Sequence, residues 1–194
     1  MNSDKHTAIV LSREMMSKPD GFVILDTETT GLYNCEIVQI AIIDLAGNTL
    51  LDTLVKPTCA ISEGASAIHG ITAANLVDAP TFKEIHPLIE SIVSEKIVII
   101  YNADFDDEVI YHCCKINNLN YLEYESSCAM ETYSEFIGEV HSYFNNYKWQ
   151  KLPGGDHTAL GDCKATLEVI KLMAKTPLEW LGLSSTEDEY TTPF

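Results

Sequence analysis

The chain has 194 residues, 46% hydrophobic and 21% charged, with 12 Lys and Arg against 29 Asp and Glu for a formal net charge of −17. That length suits one domain with a sizeable core, and the apolar runs are too short to span a bilayer. Gripping a long duplex needs a basic face, so this charge argues against extended DNA wrapping. It leaves a site that takes a short single-stranded end, with metal ions supplying positive charge, or an acid excess that serves solubility. The N-terminus lacks the long apolar core of a secretory signal. The six cysteines, Cys35, Cys59, Cys113, Cys114, Cys128 and Cys163, form no CxxC pair and no zinc spacing. Both features fit a cytoplasmic chain with buried free thiols and no membrane partner.

In chain order, residues 1–19 read as a loose N-terminal arm or a short local element. Residues 21–26 read as a fully buried strand. "EIVQIAIIDLAGNTLLDTLVKP" reads as two strands joined at Ala46-Gly47-Asn48, an antiparallel start to a sheet. Thr72 is a candidate helix cap. Pro80-Thr81 opens a helix with Phe82, Ile85, Leu88, Ile89 and Ile92 at helical spacing. Residues 97–101 form an apolar strand reached through helices, so it is predicted parallel to its neighbour. "DFDDEVIYHCCKINN" starts a helix with acids in its first turn, and "AMETYSEFIGEVHSYF" predicts another. Pro153-Gly154-Gly155 breaks the chain before a last long helix in "DHTALGDCKATLEVIKLMAK". Residues 181–194 read as an acidic flexible tail, leaving 20–180 as one domain. The order β-β-β-α-β-α-α predicts a mixed sheet with helices against it.

Acids stand out at three places. In "FVILDTETTGL" a buried strand runs into Asp26 and Glu28, two positions apart and so able to share a face. Adjacent anions repel unless a cation sits between them, and Mg²⁺ or Mn²⁺ prefers such oxygen ligands. In "IIYNADFDDEVI" Asp104, Asp106 and Asp107 compete for one role, and helix-start charge accounts for some of them. In "DHTALGDCKAT" His157 and Asp162 lie about 500° apart on a continuous helix. His157 is therefore expected on the loop or cap, with Asp162 projecting from the helix.

Together, "DTET", "NADFD" and "HTALGD", with "ASAIHGIT" between the first two, resemble the sequence blocks of the DEDDh branch of the DnaQ-like 3′-to-5′ exonucleases. The resemblance runs through most of the chain and extends to small phage- and prophage-encoded members. It implies an α/β fold: a ribonuclease H-like mixed five-stranded sheet flanked by helices, with a short fifth strand near 126–128. It implies a catalytic set of Asp26, Glu28, Asp106, Asp162 and His157. The four acids would hold two Mg²⁺ or Mn²⁺ ions, Asp26 bridging them, and His157 would act as general base. The product would be a nucleoside 5′-monophosphate from a 3′ end of single-stranded DNA or short RNA. Many members have His where this chain has Tyr101, before Asn102. Thr29, Thr30, Leu32, His69, Tyr101 and Asn102 are the candidate substrate contacts. "HSYFNNYKWQKL" interleaves Tyr143, Phe144, Tyr147 and Trp149 with Lys148 and Lys151, a surface suited to single strands or a helix end packed on the core. A catalytically weak binding protein or proofreading subunit is the rival reading. A homodimer and a polymerase or repair partner stay open.

Overall fold

In the computed structural model, residues 2–178 are described; the acidic tail read at 181–194 lies outside them. The sheet holds β1 (Phe22–Thr29), β2 (Ile37–Asp44), β3 (Thr49–Leu54), β4 (Ile97–Ile100) and β5 (Glu125–Cys128), in the order β3-β2-β1-β4-β5. β2 pairs antiparallel with β1 and β3, whereas β4 is parallel to β1 and β5 is parallel to β4. This is the mixed five-stranded sheet expected. The hairpin turns at Gly47, whose φ of 92° favours glycine.

The alternation of β1 divides the core. Val23 and Leu25 face α3 (Phe82–Val93) and α4 (Ala103–Ile116), while Phe22 and Ile24 face α6 (Ala159–Lys175). α2 (Glu63–His69) is a short helix after the hairpin, and α5 (Ala129–Ile137) follows β5. Thr81 and Glu84 cap α3 reciprocally. Its buried stripe is Phe82, Ile85, His86, Ile89 and Val93, so Leu88, expected inside, is exposed.

Three further expectations need correction. Residues 2–17 are no loose arm: α1 (Asn2–Ser17) buries Ala8, Ile9, Ser12 and Met15, spaced to line one face, against α5 and α6. Arg13, the chain's one arginine, donates from Nε to the Ala174 carbonyl (3.0 Å) and from its terminal nitrogen to that of Thr176 (2.9 Å). It thereby satisfies the open carbonyl end of α6. The helix expected through residue 144 stops at Ile137, because Gly138 (φ 77°) closes it in the left-handed conformation, its N–H bonded to the Ser134 carbonyl. Among the cysteines, Cys59 is exposed on a loop rather than buried. Among the described residues no helix is long and apolar enough to cross a membrane.

Candidate active site

β2 follows β1 through Thr29, but β4 pairs only with Phe22 to Ile24 before the chain turns into α4. Beyond that point one edge of β1 has no strand beside it. Asp106, from the first turns of α4, occupies the gap. Its Oδ1 accepts hydrogen bonds from the Thr27 N–H (3.1 Å) and the Thr27 hydroxyl (2.6 Å), and the carboxylate is only 4% exposed. Of the three competing acids, Asp104 is exposed and Asp107 accepts a bond from the Tyr124 hydroxyl (2.7 Å), so Asp106 alone enters the site.

Asp26 and Glu28, both half-buried, alternate along the same strand. Gln39 pairs opposite Glu28 on β2, and its Oε1 accepts from the Ala159 N–H (3.2 Å), fastening the start of α6 over the acids. Asp162, in the first turn of α6, accepts at Oδ1 from the N–H groups of Asp156 (2.8 Å) and His157 (3.3 Å). Candidate ligand atoms of Glu28, His157 and Asp162 all lie within 4.8 Å of one another. His157 sits just before the helix cap, as its rotation from Asp162 required, with a left-handed φ of 60°. The loop is tied by Asp156, whose Oδ1 accepts from the N–H (3.0 Å) and hydroxyl (2.7 Å) of Thr158. A Cβ on Gly161 would fall 2.0 Å from that same oxygen.

The acids perturb one another. Burial first, then the charges of Asp106, Asp162 and Glu28, push the Asp26 carboxyl well above the usual range. Burial, with Asp162 and Asp106, raises Glu28 to about 8. Burial raises Asp106 to about 7 against the opposing bonds from Thr27. Among the described residues the ion pairs are Lys18–Glu14, Lys148–Glu139 and Lys171–Glu168, and none reaches this cluster. Four converging carboxylates with no protein cation fit divalent, oxygen-preferring ions.

Beside the acids a cleft of about 660 Å³ is lined by Thr29, Thr30, Leu32, His69, Ile68 and Phe105, among others. Thr29 and Thr30 are buried and spend their hydroxyls inside the fold, on the Gly31 carbonyl (2.7 Å) and the Glu36 N–H (3.0 Å) respectively. Leu32 is 75% exposed at the cleft rim. His69 Nδ1 accepts from the Ile71 N–H, which leaves the proton on Nε2 to donate to the Thr29 carbonyl (3.1 Å). Tyr101 and Asn102 do not line this cleft: Tyr101 is buried and gives its hydroxyl to the Gln150 carbonyl (2.9 Å), and Asn102 is exposed ahead of α4. Gln39, Thr27, Asp156 and Gly161 were not singled out from the sequence. A lone glutamine in "IVQIAII" and the Asp-x-Thr before α6 were the available signals.

The family model RNase_T, described as Exonuclease, matches residues 23–170. The chain is 43% identical over 174 residues to the uncharacterized exonuclease CP81 of Escherichia phage 186, covering 80% of this chain and 89% of that one. It is 28% identical over 159 residues to DNA polymerase III subunit epsilon of Buchnera aphidicola subsp. Acyrthosiphon pisum (strain APS), covering 72% and 67%. Among solved structures it resembles exonuclease X in complex with 5′ overhanging duplex DNA (TM-score 0.57, 29% identity, 82% of this chain and 96% of that one). With its acids gathered at the end of β1 and its sheet in this order, the chain belongs to the DnaQ-like, DEDDh-type exonuclease family.

Proposed function

We propose that this exonuclease works in the 3′-to-5′ direction, releasing nucleoside 5′-monophosphates from single-stranded DNA or short RNA. The observation that carries the reading is the convergence of Asp26, Glu28, Asp106 and Asp162 beside a nucleotide-sized cleft, with His157 next to Glu28 and Asp162. The four acids would hold two Mg²⁺ or Mn²⁺ ions, for which the raised proton affinities of Asp26, Glu28 and Asp106 speak. When bound, such ions supply positive charge that stabilises the developing phosphoryl charge and makes water more acidic.

The chain's own groups do the rest. The cleft wall around Leu32, Ile68 and Phe105 would take the terminal base and sugar. The exposed imidazole of His157 would take the proton of the attacking water on its free ring nitrogen. Asp162, gripped by two backbone N–H groups, keeps that imidazole beside Glu28. The test uses one single strand labelled at either end, with Mn²⁺. A 3′ label should leave at once as a mononucleotide, while a 5′-labelled strand shortens stepwise. His157→Ala and Asp26→Asn should each lose about 10²- to 10⁴-fold in kcat. Wild-type rates in both variants would reject the assigned centre. Similarity to subunit epsilon favours a second reading, a proofreading subunit. Full activity of the isolated chain on free strands counts against it.

A further inference from the structure

Past Gly138 the chain makes a hairpin-like excursion where a helix was expected. Val140 pairs antiparallel with Tyr147, the His141 N–H donates to the Asn146 carbonyl (2.7 Å), and the Lys148 N–H donates to that of Glu139 (2.8 Å). The Tyr147 hydroxyl bonds to the Asp4 carboxylate and ties the hairpin to α1. What it offers solvent is rings: Tyr143 is 83%, Trp149 75% and Phe144 66% exposed. His141 and Tyr143 each pack against Phe144 with centroids 5.0 Å apart, so the tip is an ordered cluster.

The exit of this hairpin leads into the active site. Tyr101 holds the Gln150 carbonyl, and Leu152 packs into the core beneath α6. Leu152 lies 3.4 Å from where a Cβ on Gly155 would be, and that position is 3.1 Å from Asp162 Oδ1. Trp149 is three residues from Leu152, at most about 11 Å of chain.

We propose that the Tyr143, Phe144 and Trp149 rings form a stacking platform for bases of a single strand whose 3′ end lies in the catalytic cleft; the inference rests on the 3′-exonuclease reading above. The chemistry of the patch matches that occupant. Bases present π-faces to the rings, and phosphates meet Lys148, loosely shared with Glu139 at 3.6 Å, and Lys151, which makes no ion pair among the described residues. A chain of net charge −17 whose one arginine is committed to α6 gains little strand affinity from charge. Stacking supplies affinity that charge does not. A second copy of the chain would bring its own −17 to this face, which disfavours it as the occupant.

The test compares kcat/KM on a strand of about 12 nucleotides with that on a dinucleotide, both with Mn²⁺, for wild type, Trp149→Ala and the double variant Tyr143→Ser, Phe144→Ser. The advantage of the longer strand should fall about tenfold in each variant, through KM. Trp149→Phe should retain it, which separates ring stacking from any folding defect. An unchanged ratio in Trp149→Ala and the double variant overturns the proposal. So does a wild-type dimer that those variants dissociate without changing the ratio. A wild type inert on both substrates fails the exonuclease reading itself, and is distinguishable because no ratio is then measured.

Discussion

At the scale of single residues, the centre depends on small parts that do no chemistry. Gly161 is one: a methyl there would enter the Asp156 carboxylate that ties the loop bearing His157. Gly161→Ala should therefore lower kcat by about 10²-fold through misplacement of the imidazole, with only about 1 kcal/mol lost from the disturbed cap. Single-turnover rates beside a thermal melt separate the two effects. The acids themselves carry a pH signature. Asp26, Glu28 and Asp106 hold protons in the fold that the unfolded chain releases near pH 4. Their contribution to stability is thus full below that pH and is lost as pH rises through about 7 for Asp106 and about 8 for Glu28. With chelator present, the melting temperature should fall between pH 5.5 and 8.5, and Mn²⁺ should reduce the fall. Equal slopes with and without the ion would mean that the acids do not bind it.

At the scale of elements, the sequence pattern was informative where one period dominates. The apolar runs of β1, β2 and β4 are buried on both faces, so their hydrophobicity announces them, as do the reciprocal cap of α3 and the turn at Gly47. β5 is "ESSC", polar and short; its place follows from pairing with β4, a tertiary fact without a local signal. α1 has a weak sequence signal because Lys5 and Ser12 fall on its apolar stripe, and the faces it meets on α5 and α6 lie more than 100 residues away. In the site, alternation is enough to bring Asp26 and Glu28 together; local pattern leaves Asp104, Asp106 and Asp107 open, the family resemblance singles out Asp106, and the bonds from Thr27 across the gap in the sheet show what holds it there. α5 carries a testable flaw: among the described residues, Ser134 Oγ is buried without a hydrogen-bond partner. Ser134→Ala should raise stability by about 1 kcal/mol in urea unfolding. A loss of that size would mean the hydroxyl has a partner after all.

At the scale of the whole molecule, the charge of −17 opposes a polyanionic substrate. Salt should then act opposite to its usual effect on nucleic-acid binders. Raising ionic strength from about 0.01 to 0.1 M shortens the screening length from about 30 to 10 Å, so kcat/KM on a single strand should rise rather than fall. Stopped-flow association rates across that range would show it. A steep fall would place the dominant contacts on lysines and weaken the case for rings.

The gap beside β1 gives Asp106 two separable duties. Asparagine there keeps an oxygen for the Thr27 amide and hydroxyl but gives up the negative charge; alanine leaves both donors stranded inside the protein. Scaffold and chemistry can thus be dissected at one position: the first swap silences hydrolysis in an intact sheet, whereas the second unravels the strand's end along with it.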